Sequence, residues 1–170
     1  LVSACAVLAE RGVPFRAQIV GPDDEAGPGL HAQIRDLGLA DRVQIRGQMS
    51  QAELFEEYRH ASAFCLPCRV MDDGDRDGIP NVLAEAMACG VPVVTTPISG
   101  IPELIDDGVN GLLVPTDAPA ALADALCRLR ETPELVERLS RAGQESVLRE
   151  FDGERLATTM LELFSGRATA

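Results

Sequence analysis

Asp77 and Glu85 frame the stretch of this chain with the most chemistry to offer. The run reads Asp77-Gly78-Ile79-Pro80-Asn81-Val82-Leu83-Ala84-Glu85-Ala86-Met87-Ala88-Cys89-Gly90. A Gly-containing loop enters a helix here, and Pro80 suits its first turn. Leu83, Ala86, Met87 and Gly90 fall at i, i+3, i+4 and i+7, which makes one apolar stripe for a sheet. Glu85 lies off that stripe, on the face it shares with Asn81. The unpaired N–H groups at a helix start form an anion site that needs no lysine. At ~1.5 Å rise per residue, Glu85 stands about 6–8 Å along the axis from that start, an offset that suits a pyrophosphate and the ribose attached to it. A carboxylate can accept hydrogen bonds from both hydroxyls of such a diol. Asp77, just outside the helix, is placed to accept hydroxyl protons from a sugar beyond the phosphates. The same spacing also suits a solvated helix glutamate and a loop aspartate, and spacing alone leaves both readings open.

The elements that must position these residues follow from the pattern. Short β-branched runs at 15–20, 43–46, 61–66, 91–95 and 111–114 read as strands. Helical stretches lie near 29–38, 51–59, 80–89, 101–106, 117–130, 133–149 and 152–165. Gly38 and Gly90 suit C-terminal caps, Pro102 a first turn, and Thr116 or Asp117 an N-cap. Strands alternating with helices imply right-handed crossovers and a mostly parallel sheet covered on both faces. The expectation is one doubly wound α/β domain spanning 1–170, with no internal boundary. In such sheets ligands bind beyond the carboxyl ends of the strands, here the loops 21–29, 47–50, 67–80 and 96–102.

Charge narrows the partners. The chain has 15 Lys+Arg, all of them arginine, against 27 Asp+Glu, a net charge of −12 over 170 residues. Such a surface repels polyphosphate backbones and anionic lipid, so nucleic acid and membranes are not expected partners of this domain. No apolar run approaches the ~20 residues a membrane span needs. Leu1 to Ala9 read as a buried helix closed by Glu10, Arg11 and Gly12, and its abrupt start suggests a piece of a longer protein. Five cysteines with no export signal suit reduced thiols in a cytoplasmic protein.

Rival motifs are weaker. Asp73-Gly74-Asp75-Arg76-Asp77-Gly78 mimics the opening of an EF-hand loop, but the closing acid would fall on Ala84, one place before Glu85. Cys65-Leu66-Pro67-Cys68 has the spacing of a redox or zinc half-site, yet it straddles a strand end and lacks a second pair. No metal site is expected. His31 and His60 stand alone on helices. Arg69 and Arg76 either contact phosphate or balance Asp72, Asp73 and Asp75. Asp23, Asp24 and Glu25 argue against a phosphate cradle in the loop after the first strand, and no Gly-x-Gly-x-x-Gly or Walker pattern occurs.

Asp77-x7-Glu85, followed by Ala86-Met87-Ala88-Cys89-Gly90-Val91-Pro92-Val93-Val94, resembles the acidic-x7-Glu signature of retaining GT-B glycosyltransferases, in particular the large family 4 group. Other landmarks fall in the same order. Ile19-Val20-Gly21 resembles the family's strand end, Ile45-Arg46-Gly47-Gln48-Met49 its base-side loop, and Tyr58 through Leu66-Pro67 its next strand. Gly100-Ile101-Pro102-Glu103-Leu104-Ile105 and Gly108-Val109-Asn110-Gly111-Leu112-Leu113-Val114 are similar to two further signatures. The resemblance runs over about residues 1–165.

It implies a Rossmann-like donor-binding lobe of a two-lobed enzyme, moving a hexosyl group from a nucleotide-diphosphate sugar to an acceptor, in polysaccharide or glycolipid synthesis. By the same resemblance Asp77 is the catalytic residue, in contact with the donor sugar. Gly78, Ile79, Pro80, Asn81, Val82 and Leu83 offer backbone to sugar and diphosphate, and Glu85 holds the ribose. Gly21 is a further donor-binding residue, and base contact falls to the loop of Gln48 and Met49. No cofactor or metal is implied. Three departures stand out. The first acid is the shorter Asp77, Cys68 replaces the family's serine, and the Arg and Lys that steady the diphosphate in the family are not present. The first strand and the acceptor lobe are likewise expected outside this chain, so the 170 residues alone are not expected to turn over. The rival classes are a non-catalytic α/β module and a sugar-nucleotide epimerase.

Overall fold

The computed structural model describes residues 1–22, 27–70 and 78–150. Its elements alternate as the pattern demands: α1 Val2–Glu10, β1 Ala17–Val20, α2 Gly27–Asp36, β2 Val43–Gly47, α3 Gln51–His60 and β3 Phe64–Leu66. Then come α4 Asn81–Ala88, β4 Val93–Thr95, α5 Ile101–Leu104, β5 Leu112–Leu113, α6 Pro119–Glu131 and α7 Pro133–Glu150. The helix expected at 152–165 lies outside the described residues.

Among the described residues every strand pair is parallel, as helical crossovers require. β1 runs beside β2, with Ala17 opposite Val43 and Val20 opposite Gly47. β4 lies between β3 and β5, with Phe64 opposite Val93 and Val94 opposite Leu112. The single sheet expected from sequence is here two parallel pieces, because no ladder joins β1 to β3 among the described residues. Helix α1 spans both: Leu1 packs on the core beneath β4 and β5 and also on the core beneath β1 and β2.

Alternation along β4 sorts the core into layers. Val93 joins Tyr58, Leu83, Ala86, Met87, Ile101 and Leu104 on the face covered by α3, α4 and α5. Val94 joins Ala4, Leu112, Leu122, Leu129 and Leu139 on the face covered by α1, α6 and α7. A strand buried on both sides reads as a continuous apolar run, which is what Val91–Thr95 offers.

Every strand but β2 is shorter than the periodicity suggests, and at β4 a helix cap explains it. Gly90, at φ +76, ends α4, and the Val91 amide donates to the Ala86 carbonyl at 3.0 Å. Val91 therefore closes the helix, and Pro92 has no N–H for a ladder. At α6 the expected cap is corrected: Ala118 is the N-cap and makes no side-chain cap bond. Asp117 instead takes φ +52 in the turn before it, a conformation Asp tolerates better than most residues.

Helix α7 locks the α4 end of the fold. Gln144 Nε2 donates to the Ala88 carbonyl at 3.1 Å, satisfying an acceptor at the α4 terminus. Asn110, buried in the turn before β5, donates from Nδ2 to the Leu104 carbonyl and the Ser146 hydroxyl, both at 3.1 Å. Its Oδ1 accepts from the Asp106 amide at 2.8 Å.

Candidate donor site at the strand ends

The site is built from two groups of strand ends. In the first, the Gly21 amide donates to the Gly47 carbonyl at 3.0 Å, so the chains leaving β1 and β2 are tied together. Gly47 turns the chain at φ +67, a left-handed conformation that favours glycine. Gln48 follows, exposed, then Met49, half-buried. The downstream end of this loop is fixed by a capping box. Ser50 Oγ accepts from the Glu53 amide at 3.4 Å, and Glu53 Oε2 accepts from the Ser50 amide at 2.9 Å and its hydroxyl at 2.6 Å. Those bonds from the Ser50 hydroxyl and amide hold the Glu53 carboxyl below its ordinary range.

In the second group, two buried threonines pin the chain leaving β3. Thr95 Oγ1 donates to the Leu66 carbonyl at 2.7 Å and Thr96 Oγ1 to the Cys68 carbonyl at 2.6 Å. The Gly78–Ile79 segment lies against Gly100, the residue before α5. A Cβ added at Gly100 would stand 2.7 Å from Ile79 Cγ1. Glycine at this position lets the loop into α4 approach that closely. Neither threonine was singled out by spacing, since their partners come from a different strand and its loop.

Pro80 is the N-cap of α4, at φ −64 and ψ 121, one place earlier than the expected first-turn position. It offers no side-chain cap, so satisfaction of the helix start falls to backbone, water or ligand. Asn81 is exposed and Val82 half-buried at that start. Leu83 differs from the expected donor contacts around it. Its side chain is 0% exposed and its amide donates to the Pro80 carbonyl at 3.0 Å. Leu83 thus anchors the helix, and its own amide is already paired. Asp77 lies outside the described residues, as do Arg76, the EF-hand-like acids 73–75 and the acidic residues 23–25.

Glu85 is half-buried one turn into α4, and the residue beside it was missed by sequence reasoning as a site residue. Tyr58 Oη lies 3.5 Å from Glu85 Oε2 and 3.4 Å from the Val82 carbonyl oxygen. Tyr58 is only 3% exposed, and its ring stands edge-on to Phe64 at 5.5 Å. Helix α3 therefore begins at the Gln48–Met49 loop and ends against Glu85.

Cys65 and Cys68 do not behave as a pair. Cys65 packs on the core cluster of Val94 and Leu112, Cys68 on that of Tyr58 and Leu83. Some of the Cys65 surface stays accessible, but burial of its thiol pushes it up to about 12, the reverse of a reactive redox cysteine. His31 and His60 are exposed on α2 and α3.

Comparison with known proteins places this geometry. The chain is 38% identical over 151 residues to the amylovoran biosynthesis glycosyltransferase AmsK of Erwinia amylovora, covering 89% of this chain and 37% of that protein. It is 39% identical over 156 residues to the putative colanic acid biosynthesis glycosyltransferase WcaL of Escherichia coli, covering 89% of this chain and again 37% of the relative. The chain therefore spans well under half the length of these relatives. Among solved structures, Anabaena Alr3699/HepE in complex with UDP-glucose superposes with a TM-score of 0.84 at 24% identity, over 98% of this chain and 44% of that one. A sucrose-phosphate synthase from Thermosynechococcus elongatus gives 0.82 at 26% identity, over 97% of this chain and 41% of that one. These neighbours share the fold of one lobe of a GT-B enzyme. The family model for glycosyl transferases group 1 matches residues 1–132, and the chain belongs to that family.

Proposed function

We propose that this chain is the donor-binding lobe of a retaining glycosyltransferase, taking a hexosyl group from a nucleotide-diphosphate sugar. The observation that carries the reading is the start of α4. Its first turn offers backbone at the carboxyl ends of parallel strands, with a carboxylate one turn deeper, and the Gly21–Gly47 strand ends lie on the other piece of the sheet. Amides there receive a diphosphate and need no fixed cation. Glu85 accepts from the ribose hydroxyls, and the loop of Gly47, Gln48 and Met49 faces the base.

In this reading Asp77 and the Gly78–Pro80 backbone orient the donor sugar, and the departing phosphate takes up the acceptor proton, so no metal is needed. The HepE structure holds UDP-glucose, and the relatives named above are called biosynthetic enzymes of amylovoran and colanic acid; both support a nucleotide-sugar donor and a role in polysaccharide or glycolipid synthesis. No ladder joins β1 to β3 among the described residues, and this reading sets one more parallel strand between them, from a preceding segment that would also bring the acceptor lobe. No described helix is long and apolar enough to cross a membrane. We place the lobe in the cytoplasm, with any membrane contact made by the acceptor lobe. On this basis the 170 residues bind donor without transferring sugar.

Calorimetric titration with UDP, GDP and ADP tests the reading. One of them should bind, and Glu85→Ala should weaken it at least about tenfold, the loss of hydrogen bonds to a charged acceptor. No binding of any of the three at millimolar concentration would make this a non-catalytic α/β module. Sugar transfer by the isolated chain would refute the need for a second lobe.

A further inference from the structure

Tyr58 is the buried residue of α3, and its ring alone accounts for its packing. It sits among Leu83, Ala86 and Met87, edge-on to Phe64 and tilted 55° to Phe55. A phenylalanine would fill the same space. The hydroxyl is what needs explaining, because a buried O–H without an acceptor is costly.

Two acceptors are in reach, the Val82 carbonyl at 3.4 Å and Glu85 Oε2 at 3.5 Å. Both distances are long for an O–H···O bond, and the hydroxyl has one proton to give. The Val82 carbonyl already serves the amide four residues on in α-helix geometry. Among the described residues the carboxylate has no such prior claim, and it carries the charge that strengthens an accepted bond. Burial, and then the neighbouring Glu85 carboxylate, push the Tyr58 hydroxyl far above its ordinary value, so it stays a donor throughout the physiological range.

We propose that Tyr58 is a positioning residue for Glu85: its hydroxyl donates to Oε2 and fixes the carboxylate so that Oε1 meets the ribose diol. This rests on the nucleotide reading of Glu85 given above. The bond shortens when the diol engages the far oxygen, because ligand and tyrosine then hold the carboxylate from opposite sides. Helix α3 thereby couples the nucleoside-side loop, capped at Ser50, to the ribose-binding acid.

The test compares the tightest binder among UDP, GDP and ADP with its 2′,3′-dideoxy analogue, by calorimetry. The wild-type protein should prefer the ribonucleotide. Tyr58→Phe keeps the ring, and should weaken ribonucleotide binding about 3- to 10-fold while leaving the dideoxy analogue unchanged. On a Glu85→Ala background it should have no further effect. If Tyr58→Phe weakens both ligands equally, or leaves the preference intact, Tyr58 is a packing residue only; the proposal is overturned and the nucleotide reading stands. If the wild-type protein does not distinguish the two nucleotides, the ribose role of Glu85 fails and the proposal fails with it.

Discussion

In the β3–β4–β5 piece the middle strand is buried on both faces, and the loops at its carboxyl end are tied down by Thr95, Thr96 and the close approach of Ile79 to Gly100. The β1–β2 piece has half-exposed strands over a smaller core of Val2, Cys5, Ile34, Leu39 and Val43. Its loop is held by a glycine turn and an exposed helix cap. The two pieces suit different ends of a nucleotide sugar. Diphosphate chemistry needs donors that do not move when charge develops, and the proposed function assigns that role to the start of α4, on the more deeply packed piece. The same proposal gives base contacts to the piece whose loop has fewer tertiary restraints.

The sharpest way to break this comparison is to cut equal holes in both pieces. Leu83→Ala removes a fully buried side chain beneath α4 and should cost about 2–5 kcal/mol. Ile45→Ala, at a half-exposed position of β2, should cost well under half as much. Urea denaturation of the two variants measures both, and equal midpoints would abolish the distinction.

A smaller effect separates two glycines. Gly100→Ala places a methyl against Ile79 Cγ1, so overpacking of about 1–3 kcal/mol is expected, with weaker nucleotide binding as the Gly78–Ile79 segment shifts. Adding Ile79→Ala should recover stability. Gly47→Ala meets no atom within 4 Å but must adopt φ +67, a backbone cost of about 1–2 kcal/mol that no neighbouring truncation relieves. Thermal unfolding of the single and double variants checks this, and rescue of Gly47→Ala by a neighbouring truncation would contradict it.

The smallest effect concerns the cap. Ser50→Ala should destabilise by about 1 kcal/mol at neutral pH. Because Ser50 lowers the Glu53 carboxyl in the folded chain, its stabilisation is present above the ordinary Glu value of 4.5 and is lost as pH falls through the lower, folded value. The gap between wild type and Ser50→Ala should therefore narrow in acid, measured as unfolding midpoints across that range. A gap that widens in acid would reverse the assignment.

Much of the fold is written in local sequence pattern. Alternation of β-branched runs with 3.6-period stretches carries the element order, and Gly38 and Gly90 mark helix ends because few other residues accept their positive φ. A local signal that went unread lies in the Ser50-x-x-Glu53 spacing, a capping-box pattern. The start of α4 and the place of Glu85 within it also follow from local pattern.

Sequence alone determined the parallel α/β class, the helix start near Pro80 and the acid one turn in, since each depends on periods and caps spanning a few residues. Tertiary structure decided what those residues touch. Tyr58 meets Glu85 across 27 positions, Thr95 meets Leu66 across 29, and Gly100 makes room for Ile79. These contacts arise from how α3, α4 and the β4 loop pack together, which local periodicity does not encode.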